Sequence, residues 1–337
     1  MTGTIDMTAE KPRILFATGW YDKGMRDFHL ALMKEWPDCE PISVLRVTHD
    51  LDPTQLAEEH RNHGVTKVHA VTMKGILRHL SRILPLFSLY VVYHWIRYRP
   101  ERIIITNDGY CFWSIPSVFL KRRVSIFYHD PKPHESAVAK SRMARFENAY
   151  KHWVHRRKHW NSVLIGSAEY LPDLQQDAAS PVELIAFPRF TKYLFPQSAL
   201  PPEAAPAGYV LIYGRIDTYK GIYDWLTEVA PHFGTIPRIL LAGLVVDKRV
   251  YEFQEPAVQI IDRFIAVEEV WGLFEGASAV VLPYKTVTHS GIGDIALSFG
   301  KDTYLPDLDY FNTRYVGDAN ARPLISFIED MRQREPA

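Results

Sequence analysis

Short apolar runs rich in β-branched residues alternate along this chain with segments of helical periodicity. In the first half, the runs that predict strands are Ile14–Ala17, Ile42–Val47, Lys67–Val71, Arg102–Thr106, Val124–Tyr128, Ser162–Ile165 and Glu183–Ala186. Segments such as Met25–Trp36 and Thr54–Asn62 predict helices between them. Strands separated by helices are typical of a parallel sheet with right-handed crossovers. The pattern therefore predicts an α/β fold.

A segment rich in proline and alanine interrupts this alternation. Residues 195–208 read FPQSALPPEAAPAG, a composition that favours neither a strand nor a stable helix and indicates a linker. After it, strands are predicted at Tyr209–Tyr213, Arg238–Ala242, Val258–Ile261 and Ala279–Leu282, and helices at Ile222–Ala230 and Glu268–Gly276. We predict two Rossmann-like domains, residues 1–194 and 209–337, that face each other across a cleft. Ligands of open parallel sheets lie beyond the carboxyl ends of the strands, so we expect functional residues in the loops that follow strands.

The composition narrows the classes of function. A chain of 337 residues that is 47% hydrophobic is long enough for two cores. Lysine plus arginine equals aspartate plus glutamate, at 39 each, so we expect no nucleic-acid partner. The two cysteines, Cys39 and Cys111, match no metal-ligand spacing and favour a reducing, cytoplasmic setting. We expect no secretory signal at Met1–Lys11, and the longest apolar stretch, Ile83–Ile96, is shorter than the roughly 20 residues of a spanning helix.

The loop after the predicted strand Tyr209–Tyr213 carries two cations between glycines. Gly214 would let the backbone approach a ligand closely. Arg215 and Lys220 would balance the negative charge of a departing diphosphate. A surface loop with two solvated basic residues is the alternative interpretation.

A second polar loop follows the predicted strand Ala279–Leu282 and leads into a helix. Ser290 is a candidate N-cap, and a helix start offers free backbone N–H groups and a partial positive charge that suit a phosphate. Gly291 and Gly293 would permit close approach of the ligand. An ordinary capped helix explains the same pattern. The candidate donor-binding residues in this segment are Thr288, His289, Ser290, Gly291 and Asp294.

Together and in this order, the two loops resemble the glycosyltransferase-B fold, and specifically family 4 of the retaining glycosyltransferases. Residues 214–221 match the family's Gly-Arg-x-x-x-x-Lys-Gly signature, and residues 264–274 (FIAVEEVWGLF) and 279–284 (AVVLPY) match its next segments. The Thr-His-Ser-Gly at residues 288–291 matches a subset with Ser-Gly in place of the usual glutamate. The resemblance implies a nucleotide diphosphate sugar as donor and no separate cofactor, with Arg215 and Lys220 at the diphosphate.

One departure from the family concerns recognition of the sugar. Most members have two glutamates in this last segment that contact the transferred sugar and the ribose. The aligned positions here are Val287 and Ile295. Sugar recognition would therefore depend on the backbone of Ser290–Gly293 or on Asp294.

Three candidate residues follow strands of the first domain. His129, in residues 128–134 (YHDPKPH), matches a histidine that in the family contacts the sugar or the leaving phosphate, although a core histidine is the alternative. Asp108 would face the cleft or form an Asp-Gly turn. Gly19 lies in the predicted loop 18–24, where the family has a glycine-rich loop near the donor phosphate and the acceptor.

We expect no metal ion, although two Asp-x-Asp strings occur. Asp50 and Asp52 are predicted to cap a helix that begins near Pro53. Asp307 and Asp309 fall in a predicted loop. Cationic side chains and a helix start would supply the charge stabilisation that a metal supplies elsewhere.

Basic and aromatic residues mixed in the first domain predict peripheral contact with an anionic membrane. The alternative is that the apolar faces pack on the domain and the basic residues are solvated. The residues assigned to this contact are Arg78, Arg82, Trp95, Arg97, Arg99, Trp153, Arg156 and Arg157.

The function predicted from sequence is retaining transfer of a sugar to a glycan acceptor. The acceptor favoured is a lipid-linked oligosaccharide in bacterial polysaccharide assembly, reached at the inner face of the membrane. The alternatives are a nucleotide-sugar epimerase, a glycerophosphotransferase, and a non-catalytic nucleotide-sugar-binding protein.

Overall fold

A computed structural model describes most of the chain in two compact units, one ending at Pro188 and the other comprising the described residues from Arg189 onward. The described residues are 11–21, 23–47, 52–65, 67–72, 86–106, 123–128, 162–166, 171–185, 187–204, 206–253, 256–287 and 289–333. The predictions for Asp108, His129 and Thr288 lie outside these residues. So do those for Asp50, Arg78, Arg82, Trp153, Arg156 and Arg157.

The first unit contains a parallel sheet of seven strands in the order β3-β2-β1-β4-β5-β6-β7. Its strands are β1 (Arg13–Tyr21), β2 (Glu40–Val47), β3 (Lys67–Thr72), β4 (Arg102–Ile105), β5 (Val124–Tyr128), β6 (Ser162–Ile165) and β7 (Val182–Leu184). Its described helices are α1 (Lys23–Lys34), α2 (Pro53–Asn62), α3 (Leu86–Tyr98) and α4 (Leu171–Asp177). Aliphatic side chains of the central strands, such as Leu15, Ile103 and Val163, are buried in its core.

The second unit contains a parallel sheet of six strands in the order β10-β9-β8-β11-β12-β13. Its strands are β8 (Tyr209–Tyr213), β9 (Ile239–Ala242), β10 (Val258–Ile261), β11 (Ala277–Val281), β12 (Asp302–Leu305) and β13 (Ala321–Pro323). Its helices are α5 (Ile222–Val229), α6 (Val267–Gly276), α7 (Gly291–Ser298), α8 (Asp309–Arg314) and α9 (Phe327–Gln333). The core combines strand residues such as Leu241 and Val281 with Trp225 of α5.

In each sheet, the order in which the chain adds strands reverses beside the first strand of the unit. In the second unit the chain runs outward from β8 to β9 and β10, then returns to place β11 on the other side of β8. Such a reversal opens a crevice at the carboxyl ends of the two central strands, which is where doubly wound sheets bind ligands. The loops after β8 and β11 therefore lie side by side, and these are the two loops that the sequence singled out.

The α/β prediction is confirmed, and β5, β6, β8 and β10 have the predicted bounds. The strands β12 and β13 were not predicted, because their sequences, DTYL and ARP, include charged residues and a proline and lack the β-branched apolar run that marks the other strands. The prediction of a loop over residues 18–24 was wrong. Strand β1 continues through Gly19 to Tyr21 with a register shift after Thr18, and α1 begins at Lys23. The two aromatic residues after Gly19 favour this extension.

The proline-rich segment belongs to the second unit and packs on its helix α6. Apart from a 3₁₀ turn at Pro202–Ala204, its described residues form neither helix nor strand. The Ser198 hydroxyl accepts the Gly272 N–H at 3.2 Å, and a methyl group on Gly272 would come within 2.1 Å of the Ala199 carbonyl oxygen. Gly272 therefore allows the segment to lie directly on α6.

Candidate functional site

Gly214 directly follows β8 and has a backbone conformation that favours glycine. Its φ of 92° lies in the left-handed region. A methyl group at this position would come within 3.1 Å of Ile292 Cδ1 and 3.3 Å of Lys220 Nζ. The absence of a side chain therefore brings the backbone after β8 close to both the first turn of α7 and the Lys220 ammonium group.

A short 3₁₀ turn, Thr218–Lys220, carries the lysine into the unit. The Asp217 carboxylate accepts the Thr218 N–H at 2.8 Å and caps the turn. The turn ends at Gly221, whose φ is 66° and where a methyl group would come within 2.3 Å of the Pro283 carbonyl oxygen. Glycine is needed here because the turn packs directly on the loop after β11.

Lys220 is a buried cation, with 5% of its surface exposed. Burial lowers its pKa from the usual 10.5. Its Nζ lies 5.2 Å from the centroid of the Tyr284 ring, a cation–π contact. Within the parts of the chain that the structure describes, no carboxylate lies within ion-pair distance of this Nζ. An ammonium group without an anionic partner is costly to bury, so the site is suited to an anionic ligand.

Arg215 occupies a different environment. Half of its side chain is exposed, and its guanidinium lies 3.3 Å from the Asp217 carboxylate and 6.0 Å from the Tyr219 ring centroid. Asp217 therefore already balances part of its charge. The two cations that form one motif in the sequence are thus one buried and one surface group.

The start of α7 lies beside this loop, because Ile292 in its first turn approaches Gly214. Ser290 is the N-cap residue, as predicted, but its side chain does not cap the helix. Its hydroxyl lies 3.5 Å from the Tyr284 hydroxyl, and its own N–H donates to the Tyr310 hydroxyl at 3.1 Å. Without a side-chain cap, the first turn keeps backbone donors for a ligand.

Gly291 and Gly293 serve packing inside the unit. A methyl group on Gly291 would come within 2.2 Å of Phe190 Cδ2, and one on Gly293 within 2.5 Å of the Tyr315 hydroxyl. The space beside both glycines is filled by these aromatic rings. Contact of the Gly291 backbone with the donor stays a prediction.

Asp294 is engaged within the unit. Its carboxylate, 3% exposed, accepts the Arg314 Nε–H at 2.9 Å, pairs with a second guanidinium nitrogen, and accepts the Phe190 N–H at 3.3 Å. His289 lies with its ring centroid 6.1 Å from that of Tyr310, edge to face. The structure therefore gives Asp294 a structural role, and its contact with a sugar stays a prediction, as does that of His289.

Tyr284, Tyr310 and Arg314 were not among the predicted site residues. Tyr284 lies three residues after the end of β11, so its position in the loop after a strand could have identified it. Tyr310 and Arg314 lie on α8, twenty residues beyond the atoms that they contact. No local pattern links them to the start of α7.

In the first unit, buried hydroxyl groups and a histidine connect the strands at the reversal point. The Thr18 hydroxyl of β1 lies 2.5 Å from that of Thr106, which follows β4, and 2.8 Å from His29 Nδ1. His29 Nε2 lies 3.0 Å from the Ser43 hydroxyl of β2. Gly19, beside Thr18, is buried, and a methyl group there would make ordinary contacts of 3.8 Å with Phe87. Steric constraints therefore do not explain Gly19, and its proposed ligand contact stays a prediction.

Asp52 and Asp307 have local structural partners, and Asp309 begins α8 instead of lying in a loop as predicted. Asp52 accepts the Thr54 N–H at 2.9 Å and caps α2, as predicted. Asp307 accepts from the Asn312 side-chain amide at 2.6 Å. Among the described residues, no three or more His, Cys, Asp or Glu side chains form a cluster suited to a metal ion.

Residues 86–96 of the apolar stretch lie in α3, which has 13 residues. In the described parts of the chain, no helix combines the length and the apolar character needed to cross a membrane. Trp95, one of the residues assigned to membrane contact, packs against the core instead, because it lies on the inner face of α3.

Comparisons with known proteins identify the fold. No protein-family model matches the sequence, and no curated protein matches it. Sucrose-phosphate synthase from Thermosynechococcus elongatus superposes with a TM-score of 0.61 at 16% identity, over 90% of this chain and 83% of that chain. OtsA in its apo form gives 0.56 at 8% identity, over 96% and 92%. UDP-GlcNAc 2-epimerase from Neisseria meningitidis, bound to UDP-GlcNAc, gives 0.52 at 10% identity, over 96% and 94%.

These similarities, together with the two parallel sheets, show an α/β protein with two Rossmann-like units, the glycosyltransferase-B fold. At these identities the similarity is one of fold. The activity depends on the residues of the site and not on the fold.

Proposed function

We propose that this protein is a glycosyltransferase that moves a sugar from a nucleotide diphosphate sugar to an acceptor. The observation that carries the proposal is the buried Lys220 ammonium beside Gly214, which has no carboxylate partner in the described chain and lies next to the uncapped first turn of α7. A cation and a helix start at the carboxyl edge of a doubly wound sheet suit a diphosphate.

In the proposed reaction, Lys220 stabilises the leaving diphosphate. As the bond between the sugar and the diphosphate breaks, negative charge increases on the phosphate oxygens, and a preorganised cation lowers the barrier. Arg215, at the surface of the same loop, contributes the second positive charge, and the transfer needs no metal ion. The match of residues 214–221 to the family 4 signature supports a retaining hexosyltransferase. By the same resemblance, His129 contacts the sugar or the leaving phosphate, and Gly19 lies near the donor phosphate and the acceptor. Asp108 follows a strand and would face the cleft.

The proposed acceptor is a lipid-linked oligosaccharide, met at the cytoplasmic face of a membrane. Helix α3 supports peripheral attachment, because Leu89, Tyr93 and Ile96 are each more than half exposed at positions that share one helix face. The Arg97 guanidinium donates to the Tyr93 hydroxyl at 3.3 Å at one end of this face. An apolar face flanked by a cation suits an anionic lipid surface.

A two-stage experiment tests the proposed activity. A thermal-shift panel of UDP, GDP, ADP and CDP and their common sugars identifies the donor, because a ligand that binds only the folded chain raises Tm. The chosen donor is then incubated with lipid-linked oligosaccharide acceptors, and release of the nucleoside diphosphate is measured. Release that depends on the acceptor, with sugar added to it, is the expected result. Binding without turnover across donors and acceptors would instead support a non-catalytic binding protein.

A nucleotide-sugar epimerase is the second candidate. The structural similarity to UDP-GlcNAc 2-epimerase from Neisseria meningitidis favours it over other activities of the same fold. An epimerase would convert UDP-GlcNAc without an added acceptor, and NMR of the sugar product would detect this conversion. A glycerophosphotransferase would transfer glycerol phosphate and leave nucleotide sugars unchanged.

A further inference from the structure

The first turn of α7 is held by residues that lie outside the predicted site. Phe190 and Tyr315 fill the space beside Gly291 and Gly293. Tyr310 and Arg314, from α8, supply the polar contacts. Ile292 of the same turn approaches Gly214, so α7 begins between a fixed aromatic support and the proposed diphosphate site.

Tyr310 binds the backbone that enters α7. Its hydroxyl accepts the Ser290 N–H at 3.1 Å. Burial raises the pKa of Tyr310, so the phenol stays protonated at neutral pH. An N-cap serine ordinarily uses its own hydroxyl to accept an N–H of the first turn. Here the helix entry is fixed by a tyrosine from another helix, and the first-turn donors remain without a side-chain cap.

Arg314 binds α7 within the same turn. Its guanidinium makes a two-point contact with the buried Asp294 carboxylate. A bidentate arginine–carboxylate pair fixes orientation as well as distance. The Asp294 carboxylate also accepts the Phe190 N–H, so one buried pair links α7, α8 and the segment after Pro188.

We propose that Tyr310 and Arg314 are positioning residues for the donor diphosphate. They hold the first turn of α7 so that its backbone N–H groups and the Lys220 ammonium bind the same anion, while neither side chain touches that anion itself. This inference rests on the proposed function, because it assigns the anion as the diphosphate of the donor. Affinity for the diphosphate should therefore depend on side chains of α8.

The test compares two conservative variants of the full chain. Tyr310→Phe removes the hydroxyl that binds Ser290 and keeps the ring. Tyr304→Phe is the matched control, because Tyr304 is also buried in the second unit and its hydroxyl donates to Asp330 at 3.0 Å. For both variants we would measure Tm, the Kd for inorganic pyrophosphate, the Kd for the best-binding of UDP, GDP, ADP and CDP, and donor KM and kcat.

We expect Tyr310→Phe to raise both Kd values and the donor KM by about tenfold, the effect of losing one cap-type hydrogen bond, and to change kcat less. Tyr304→Phe should leave all three unchanged, even where its Tm falls equally. Arg314→Met should weaken binding in the same way, and Arg314→Lys should recover part of the affinity because it keeps a charge for Asp294.

The outcomes separate this proposal from the proposed function. If the wild-type chain shows no measurable binding of pyrophosphate or of any of the four nucleotides, the diphosphate site itself is refuted. If the wild-type chain binds and Tyr310→Phe binds equally well, only the positioning role is refuted. Equal weakening by Tyr304→Phe would also refute it, because the effect would then follow from general loss of stability.

Discussion

Replacing Lys220 with methionine should remove most of the sugar transfer and leave the stability of the protein unchanged or increased. Methionine has a similar length and no charge. The folded chain buries the lysine to 5% exposure without a carboxylate partner in its described parts, and burial lowers the lysine pKa. The ammonium group therefore costs free energy in the empty protein, and an apolar replacement relieves that cost.

The magnitude of the kinetic effect follows from the burial of this charge. Two unit charges 4 Å apart interact by about 4 kcal/mol at an effective dielectric constant of about 20. Removal of one preorganised group that stabilises developing charge typically costs a factor of roughly 100 to 1,000 in kcat. We therefore expect Lys220→Met to lower the rate of nucleoside diphosphate release by at least about a hundredfold.

Lys301→Met is the matched control. Lys301 directly precedes β12, so it lies at the amino ends of the strands, away from the proposed site at their carboxyl ends. Its ammonium group donates to the Glu275 carbonyl oxygen at 2.8 Å. Its replacement should leave the rate near that of the wild-type chain. The measurements are acceptor-dependent release of nucleoside diphosphate and the midpoint of thermal unfolding. A rate for Lys220→Met within threefold of wild type would refute the role of this charge in transfer. A large fall in Tm together with lost activity would refute the inference that the lysine is buried for function.

Four further predictions concern pH, metal ions, membranes and a backbone turn. Burial lowers the pKa of His60 to about 4, so the unfolded chain binds a proton between pH 6.5 and 4 that the folded chain does not; urea unfolding should show stability complete above pH 6.5 and falling towards pH 4, and His60→Gln should make this fall smaller by about 3 kcal/mol, the other buried histidines such as His94 accounting for the rest. Transfer should continue in EDTA; loss in EDTA with recovery in manganese would contradict a metal-free mechanism. The chain should sediment with anionic but not with neutral vesicles, and the sedimented fraction should fall in high salt and in the double variant Tyr93→Ser, Ile96→Ser. Equal recovery in the supernatant with both vesicle types would exclude this attachment. Gly221→Ala should lower Tm more than Gly300→Ala, because both have a positive φ but only the first would meet a backbone oxygen, at 2.3 Å; equal losses would contradict the packing argument.

The candidate site could be predicted in part because its motif is continuous in sequence. Gly214, Arg215 and Lys220 follow a strand whose bounds the apolar pattern predicted correctly. Topology then accounts for their proximity to α7, because parallel strands beside a reversal point bring their carboxyl-end loops together. Spacing alone could not separate the two cations, since exposure depends on a 3₁₀ turn closed by a glycine against Pro283.

The amino-acid sequence predicts the alternation of strands and helices, the division into two α/β units, and the cation-bearing loop after β8. These features depend on the periodicity and residue types of short segments, so they are local. The tertiary structure places Lys220 in the interior and Arg215 at the surface, and it packs Phe190 and Tyr315 beside the glycines of α7. It also decided that Tyr310 binds the backbone at the start of that helix. Each of these depends on contacts between segments distant in the chain, and burial, hydrogen bonding and steric exclusion exist only after those segments have packed.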